Sequence, residues 1–64
     1  MASEVRFAVV RKMLEANGWR LSRVRGSHFI FVKSGERPLP IPVHHGKVIP
    51  AYVRKAEKAC ETKE

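Results

Sequence analysis

Trp19-Arg20-Leu21-Ser22-Arg23-Val24-Arg25-Gly26-Ser27-His28-Phe29-Ile30-Phe31-Val32-Lys33 is the stretch that decides the fold. Two strand-like runs, Trp19 to Arg25 and His28 to Lys33, flank the pair Gly26-Ser27. A Gly-X pair in that position predicts a tight hairpin, because glycine supplies the positive φ that a type II′ turn requires. With Gly26 and Ser27 as loop residues, Arg25 lies opposite His28, Val24 opposite Phe29 and Arg23 opposite Ile30. One face of the hairpin then carries Val24, Phe29 and Phe31 toward a core, and the other gathers Arg23, Arg25 and His28. Leu21 and Val32 fall on the wrong face for this scheme, which calls for a bulge or an imperfect register.

Before the hairpin, Ser3 is the expected helix N-cap, with Glu4 in the first turn where the helix dipole favours an acid. Val5, Val9 and Met13 recur at helical spacing, as do Phe7, Val10 and Leu14, giving a wide apolar stripe. Asn17-Gly18 ends that helix, Gly18 taking the left-handed position after the last turn. Beyond the hairpin, Ser34 to Pro38 is a turn. Leu39-Pro40-Ile41-Pro42-Val43 follows as an edge strand, since its two prolines have no N–H to give to a ladder. His44-His45-Gly46-Lys47 is expected to be a loop. Ile49-Pro50 opens a second helix reaching about Glu61, with Ile49, Val53, Ala56 and Cys60 on its inner stripe. The predicted fold is therefore α+β, in the order α-β-β-β-α: a three-stranded antiparallel sheet with two helices on one face.

Sixty-four residues suit one small domain spanning 1–64; a chain of that size buries only ~60% of its unfolded surface. Apolar residues make up 44% of it, too many for a disordered chain. Cys60 is a single cysteine, so an intrachain disulfide is excluded, which fits a reducing, cytoplasmic setting. The longest apolar run, Phe29 to Val32, is far short of a membrane span, and the N-terminus does not read as a signal peptide. Thirteen Lys and Arg against six acids, all Glu, leave a net charge of +7. That excess favours a polyanionic partner, nucleic acid before an anionic membrane surface.

His28 carries the chemistry. Histidine is the side chain that titrates near neutral pH and can both take and give a proton. Framed by arginines, it suits work on a phosphodiester; the bland alternative is a turn histidine that caps the hairpin or only touches phosphate. His44 is a candidate second proton carrier or phosphate contact, although loop histidines are often just solvated. A metal set drawn from His28, His44, His45 and Cys60 lacks the recognised ligand spacings, so no metal and no cofactor are expected. Ser27 has no neighbouring base in the triad sense and reads as a turn residue able to bond a phosphate. Trp19 could stack on a base, but reads first as an anchor between helix and sheet. Arg54, Lys55 and Lys58 form either a solvated helix face or a phosphate-contacting edge.

Asn17-Gly18-Trp19, then Arg23-Val24-Arg25-Gly26-Ser27-His28, then Ile41-Pro42-Val43-His44, then Lys47 and the second helix resemble the HicA toxins. The resemblance runs in order over nearly the whole chain, and Gly-Trp followed by Gly-Ser-His is its most specific part. The chain departs from the family pattern at Phe29-Ile30 and at Ala51-Tyr52-Val53. The resemblance implies a double-stranded-RNA-binding-domain-like fold and a metal-independent endoribonuclease that cleaves messenger RNA as the toxin of a toxin-antitoxin pair. A HicB-type antitoxin would be its protein partner. It puts His28 at the catalytic position; the charge and hydrogen-bonding capacity of Arg23, Arg25, Ser27, His44, Lys47 and Arg54 make these the expected RNA contacts. Two other readings stay open: a non-catalytic RNA-binding module of the same fold, and a basic subunit that binds only an acidic protein.

Overall fold

A computed structural model describes residues 4–61. The elements are β1 (Val5–Arg6), α1 (Phe7–Ala16), β2 (Arg20–Arg25), β3 (His28–Val32), β4 (Leu39–Pro42), β5 (Lys47–Val48) and α2 (Pro50–Cys60). Strands β2, β3 and β4 make an antiparallel three-stranded sheet in that order, and β1 pairs with β5 in a separate two-stranded ribbon. The two helices and the three-stranded sheet are the expected α+β architecture, of the double-stranded-RNA-binding-domain type.

The hairpin register is the expected one: Arg25 opposite His28, Val24 opposite Phe29, Arg23 opposite Ile30. Gly26 has φ +58°, the conformation the turn demands. The register shifts between Leu21 and Arg23, leaving Ser22 as the extra residue of a bulge. The shift sets Leu21 opposite Phe31 and Arg20 opposite Val32. Leu21 thereby joins the core face, while Val32 stays on the open one. Val24 corrects the expectation in part: it shares the core-side face, but at the sheet edge it is 48% exposed.

In β4, His28 faces Pro42 and Ile30 faces Pro40. Leu39 and Ile41 alternate with these prolines and turn their backbone groups toward β3, so the two residues without N–H present that side to the open edge. The Val43 N–H continues the ladder to the Ser27 carbonyl at 2.8 Å. The strand sits at the sheet edge, as its prolines require.

The first helix begins later than expected. Phe7 is its first residue, Arg6 is the N-cap with no side-chain capping bond, and no acid stands in the first turn. Ser3 lies outside the described residues. Val5 is in β1, opposite Val48, and the Phe7 N–H donates to the Gly46 carbonyl at 2.8 Å. A distant strand thus satisfies one of the helix's free amides. Phe7, Val10 and Leu14 form the inner stripe, while Val9 is 56% exposed. The helix ends with the Trp19 N–H on the Leu14 carbonyl and the Gly18 N–H on that of Glu15, the paired bonds of a Schellman cap. Helix α2 starts at Pro50 as expected, but Ile49, its N-cap, is partly exposed; Tyr52, Val53, Ala56, Ala59 and Cys60 face the core.

Phe31, Leu14, Ile41, Val10 and Val48 are completely buried, and Trp19, Leu39 and Ala56 complete the core. The Phe7 ring lies 4.5 Å from that of Phe29 and 6.1 Å from that of Phe31, so α1 packs on the odd-numbered face of β3. Truncating a ring such as Phe31 to Ala costs ~3–5 kcal/mol in a packed core. Trp19 anchors the helix end to the sheet, as expected, although its indole N–H has no partner among the described residues.

Candidate nucleic-acid interface

Two tight turns meet at one end of the sheet. The first is Gly26-Ser27, which sets His28 at the start of β3. The second is His45-Gly46, with φ of +53° and +73°, the pair of positive values that defines a type I′ hairpin turn. His44 and Lys47 close it with reciprocal backbone bonds of 2.9 Å. The expected loop is thus a rigid corner. The Val43 to Ser27 bond fastens the two turns side by side.

Because Phe29, Phe31 and Ile41 point to the helices, alternation turns Arg25, Arg23 and His28 to the opposite, open face. Arg25 is directly across from His28, a pairing that brings Cβ atoms to ~5 Å, with Arg23 the diagonal neighbour. Continuing the alternation of β4 past Val43 turns His44 to the same side. His28, Ser27, Arg23, Arg25, His44 and Lys47 are all exposed. Among the described residues one ion pair is present, Arg11 Nε to Glu15 Oε2 at 2.9 Å on α1. Among those residues no carboxylate pairs with the guanidinium groups of β2, which leaves them available to meet phosphate.

Arg54 stands apart. It lies on the outer side of α2, lining a surface cleft with Ala51, Lys55 and Lys58, whereas the histidine corner opens on the other side of the sheet. Arg6 was not legible as a site residue, because helical spacing absorbed it. Its pairing with Lys47 brings it to the corner, and only that long-range pairing reveals it. Arg20 belongs to the same basic strand in the sequence, but strict alternation would set it on the core face; the bulge at Ser22 is what aligns it with Arg23 and Arg25 on the open face. Cys60 is remote from these groups: its thiol donates to the Met13 carbonyl at 3.7 Å, and burial raises its pKa against the opposing pull of Lys33. Among the described residues no three His, Cys, Asp or Glu side chains converge on a point.

The family model described as the HicA toxin of bacterial toxin-antitoxin matches residues 8–59. The chain belongs to the HicA toxin family. The matched span covers the β2–β3 hairpin, β4 and the histidine corner, and leaves out β1 with Arg6. Comparison with curated proteins finds no match. Membership makes the chain the toxin component of a toxin-antitoxin pair and so implies a protein partner. Among the described residues no helix is long and apolar enough to cross a membrane.

Proposed function

We infer that this HicA toxin is an endoribonuclease that cleaves messenger RNA without a metal, with His28 as a general acid or base. The supporting observation is the shared exposed face: an imidazole at a rigid turn, directly across from Arg25, with neighbouring arginines that, among the described residues, no carboxylate engages. Cleavage by the RNA's own 2′-hydroxyl needs a base to take that proton as the bond from O2′ to phosphorus forms. It also needs an acid to protonate the 5′-oxygen as its bond to phosphorus breaks. His28 fills one of these roles. His44, on the adjoining turn, is the candidate for the other. Arg23, Arg25 and Lys47 carry the phosphate charge, and Ser27 supplies a turn hydroxyl or amide. Arg54 is left out of this set, since α2 lies on the other side of the sheet. A HicB-type antitoxin that covers the His28 face would inhibit by excluding substrate.

One observation favours the non-catalytic RNA-binding module instead: among the described residues no side-chain hydrogen bond orients the His28 ring, as a third group commonly does for a catalytic base. Incubation with a long RNA in EDTA separates the readings, comparing wild type with His28→Ala at matched circular dichroism. Cleavage by wild type alone supports the nuclease. RNA bound by both proteins and cut by neither establishes the binding module. Equal cleavage by both removes His28 from the chemistry.

A further inference from the structure

At the far end of the open face from His28, Gly18, Arg20, Val32, Lys33 and Ser34 line a cleft of about 580 Å³. Two cations enter it and, among the described residues, no carboxylate lines it. Two other clefts are of mixed charge: one sets Arg54, Lys55 and Lys58 beside Glu57 and Glu61, and the other takes Lys33 on its far side together with Glu36 and Glu61, so Lys33 stands between that cleft and this one. The cleft is also built on fixed backbone. Arg20 is locked opposite Val32 by the register beyond the bulge. The Glu36 N–H closes a turn onto the Lys33 carbonyl at 3.0 Å, which sets Ser34 at the end of β3. The Lys33 stem lies against Gly18 so closely that a Cβ there would stand 3.3 Å from Lys33 Cε. Two cationic groups and a hydroxyl around an open space are the donors a phosphate takes.

We propose that Arg20, Lys33 and Ser34 form a second anion subsite, which holds a backbone phosphate of the same RNA strand that presents its scissile phosphate to His28. This rests on the RNA reading above and adds the path and length of the substrate. From His28 to Val32 is four strand steps, ~13 Å. That equals about four nucleotides at the ~3.4 Å rise of a stacked strand, and fewer in a stretched one. Arg25, Arg23 and Arg20 line the route along β2. Apart from the His28 ring at its end, no aromatic side chain stands on this face of β3, where Ile30 and Val32 also point outward, so the track beyond His28 grips backbone and does not stack bases.

The test titrates wild type and Arg20→Ala/Lys33→Ala with uncleavable 2′-O-methyl oligouridines of three and eight nucleotides, followed in ¹H–¹⁵N spectra, which read even weak binding. Arg11→Ala/Lys12→Ala removes two exposed positive charges from α1 and serves as the control. Affinity for the octamer falls roughly tenfold in the cleft variant, the order expected for losing a charge-assisted hydrogen bond. The slope of log affinity against log salt falls by about 0.7 for each phosphate that is no longer neutralised. The trimer, which His28, Arg23 and Arg25 can hold by themselves, loses much less, and the control variant keeps its octamer affinity. An equal loss for both lengths, or a loss no greater than the control's, overturns the subsite. Octamer affinity unchanged while binding of the cognate antitoxin weakens assigns the cleft to the protein partner and also overturns it. If wild type binds neither oligomer, the RNA reading itself falls; if wild type cuts RNA and only the cleft variant is without effect, the subsite alone does.

Discussion

Gly18 and Gly26 both hold positive φ, at +92° and +58°, yet they meet different surroundings. Nothing lies within 4 Å of a Cβ placed on Gly26, so Gly26→Ala tests backbone strain by itself. That strain is ~1–2 kcal/mol, which lowers the melting temperature by about 4–8 °C per kcal/mol in a domain this small. Gly18→Ala adds a close approach to Lys33 and has to displace its stem. Thermal melts followed by circular dichroism should therefore rank Gly18→Ala slightly below Gly26→Ala, since the atom that has to give is near the flexible end of the Lys33 side chain. Equal melting temperatures would mean that the Lys33 stem gives way without cost. Both glycines stood out in the sequence as turn formers, but the second duty of Gly18 did not, because Lys33 is far along the chain.

Ser22 is the corresponding point among the elements. Strict alternation from the Gly26-Ser27 turn puts Leu21 on the solvent side, a conflict visible in the sequence, and the one-residue bulge resolves it. The bulge does two things at once: it buries Leu21 against the Phe31 side and aligns Arg20 with Arg23 and Arg25. Deleting Ser22 leaves Leu21 opposite Phe31 and Arg20 opposite Val32 in an uninterrupted ladder. The deletion variant should keep a cooperative unfolding transition and its RNA affinity. Loss of the folded spectrum would show that the local twist of the bulge, and not register alone, is needed. The β1–β5 ribbon was not legible, since two residues on each strand carry no periodic signal and the pairing joins positions 5 and 48. Val5 fitted the helical spacing equally well; the Gly46 carbonyl that caps the Phe7 amide decided against it.

For the whole molecule, the net charge of +7 is spread over both sides, but the sides differ in what they can do with it. Arg54, Lys55 and Lys58 on α2 share their cleft with Glu57 and Glu61, whereas the open sheet face presents arginines beside a histidine corner. Substituting Arg23 and Arg25 together by Ala should weaken RNA binding severalfold and flatten its salt dependence. Antitoxin affinity should fall in parallel, as two ligands that share one face require. A fall in one affinity alone, measured by anisotropy for RNA and calorimetry for the antitoxin, would separate the two surfaces.

Local pattern in the chain was enough for the hairpin, its register, the edge strand with its prolines, the start of α2 and the position of His28 at a corner beside arginines. Each of these depends on neighbours a few residues apart, where turn geometry, proline's missing N–H and the two-residue alternation of a strand act directly. Tertiary structure decided the late start of α1, the rigid His44–Lys47 turn beside the His28 corner, the arrival of Arg6 there, the separation of Arg54 and the cleft between Arg20 and Lys33. Those depend on backbone bonds and packing between segments far apart in the chain. Burial of Val48, Phe31 and Ile41 determines such arrangements, and no local periodicity encodes them.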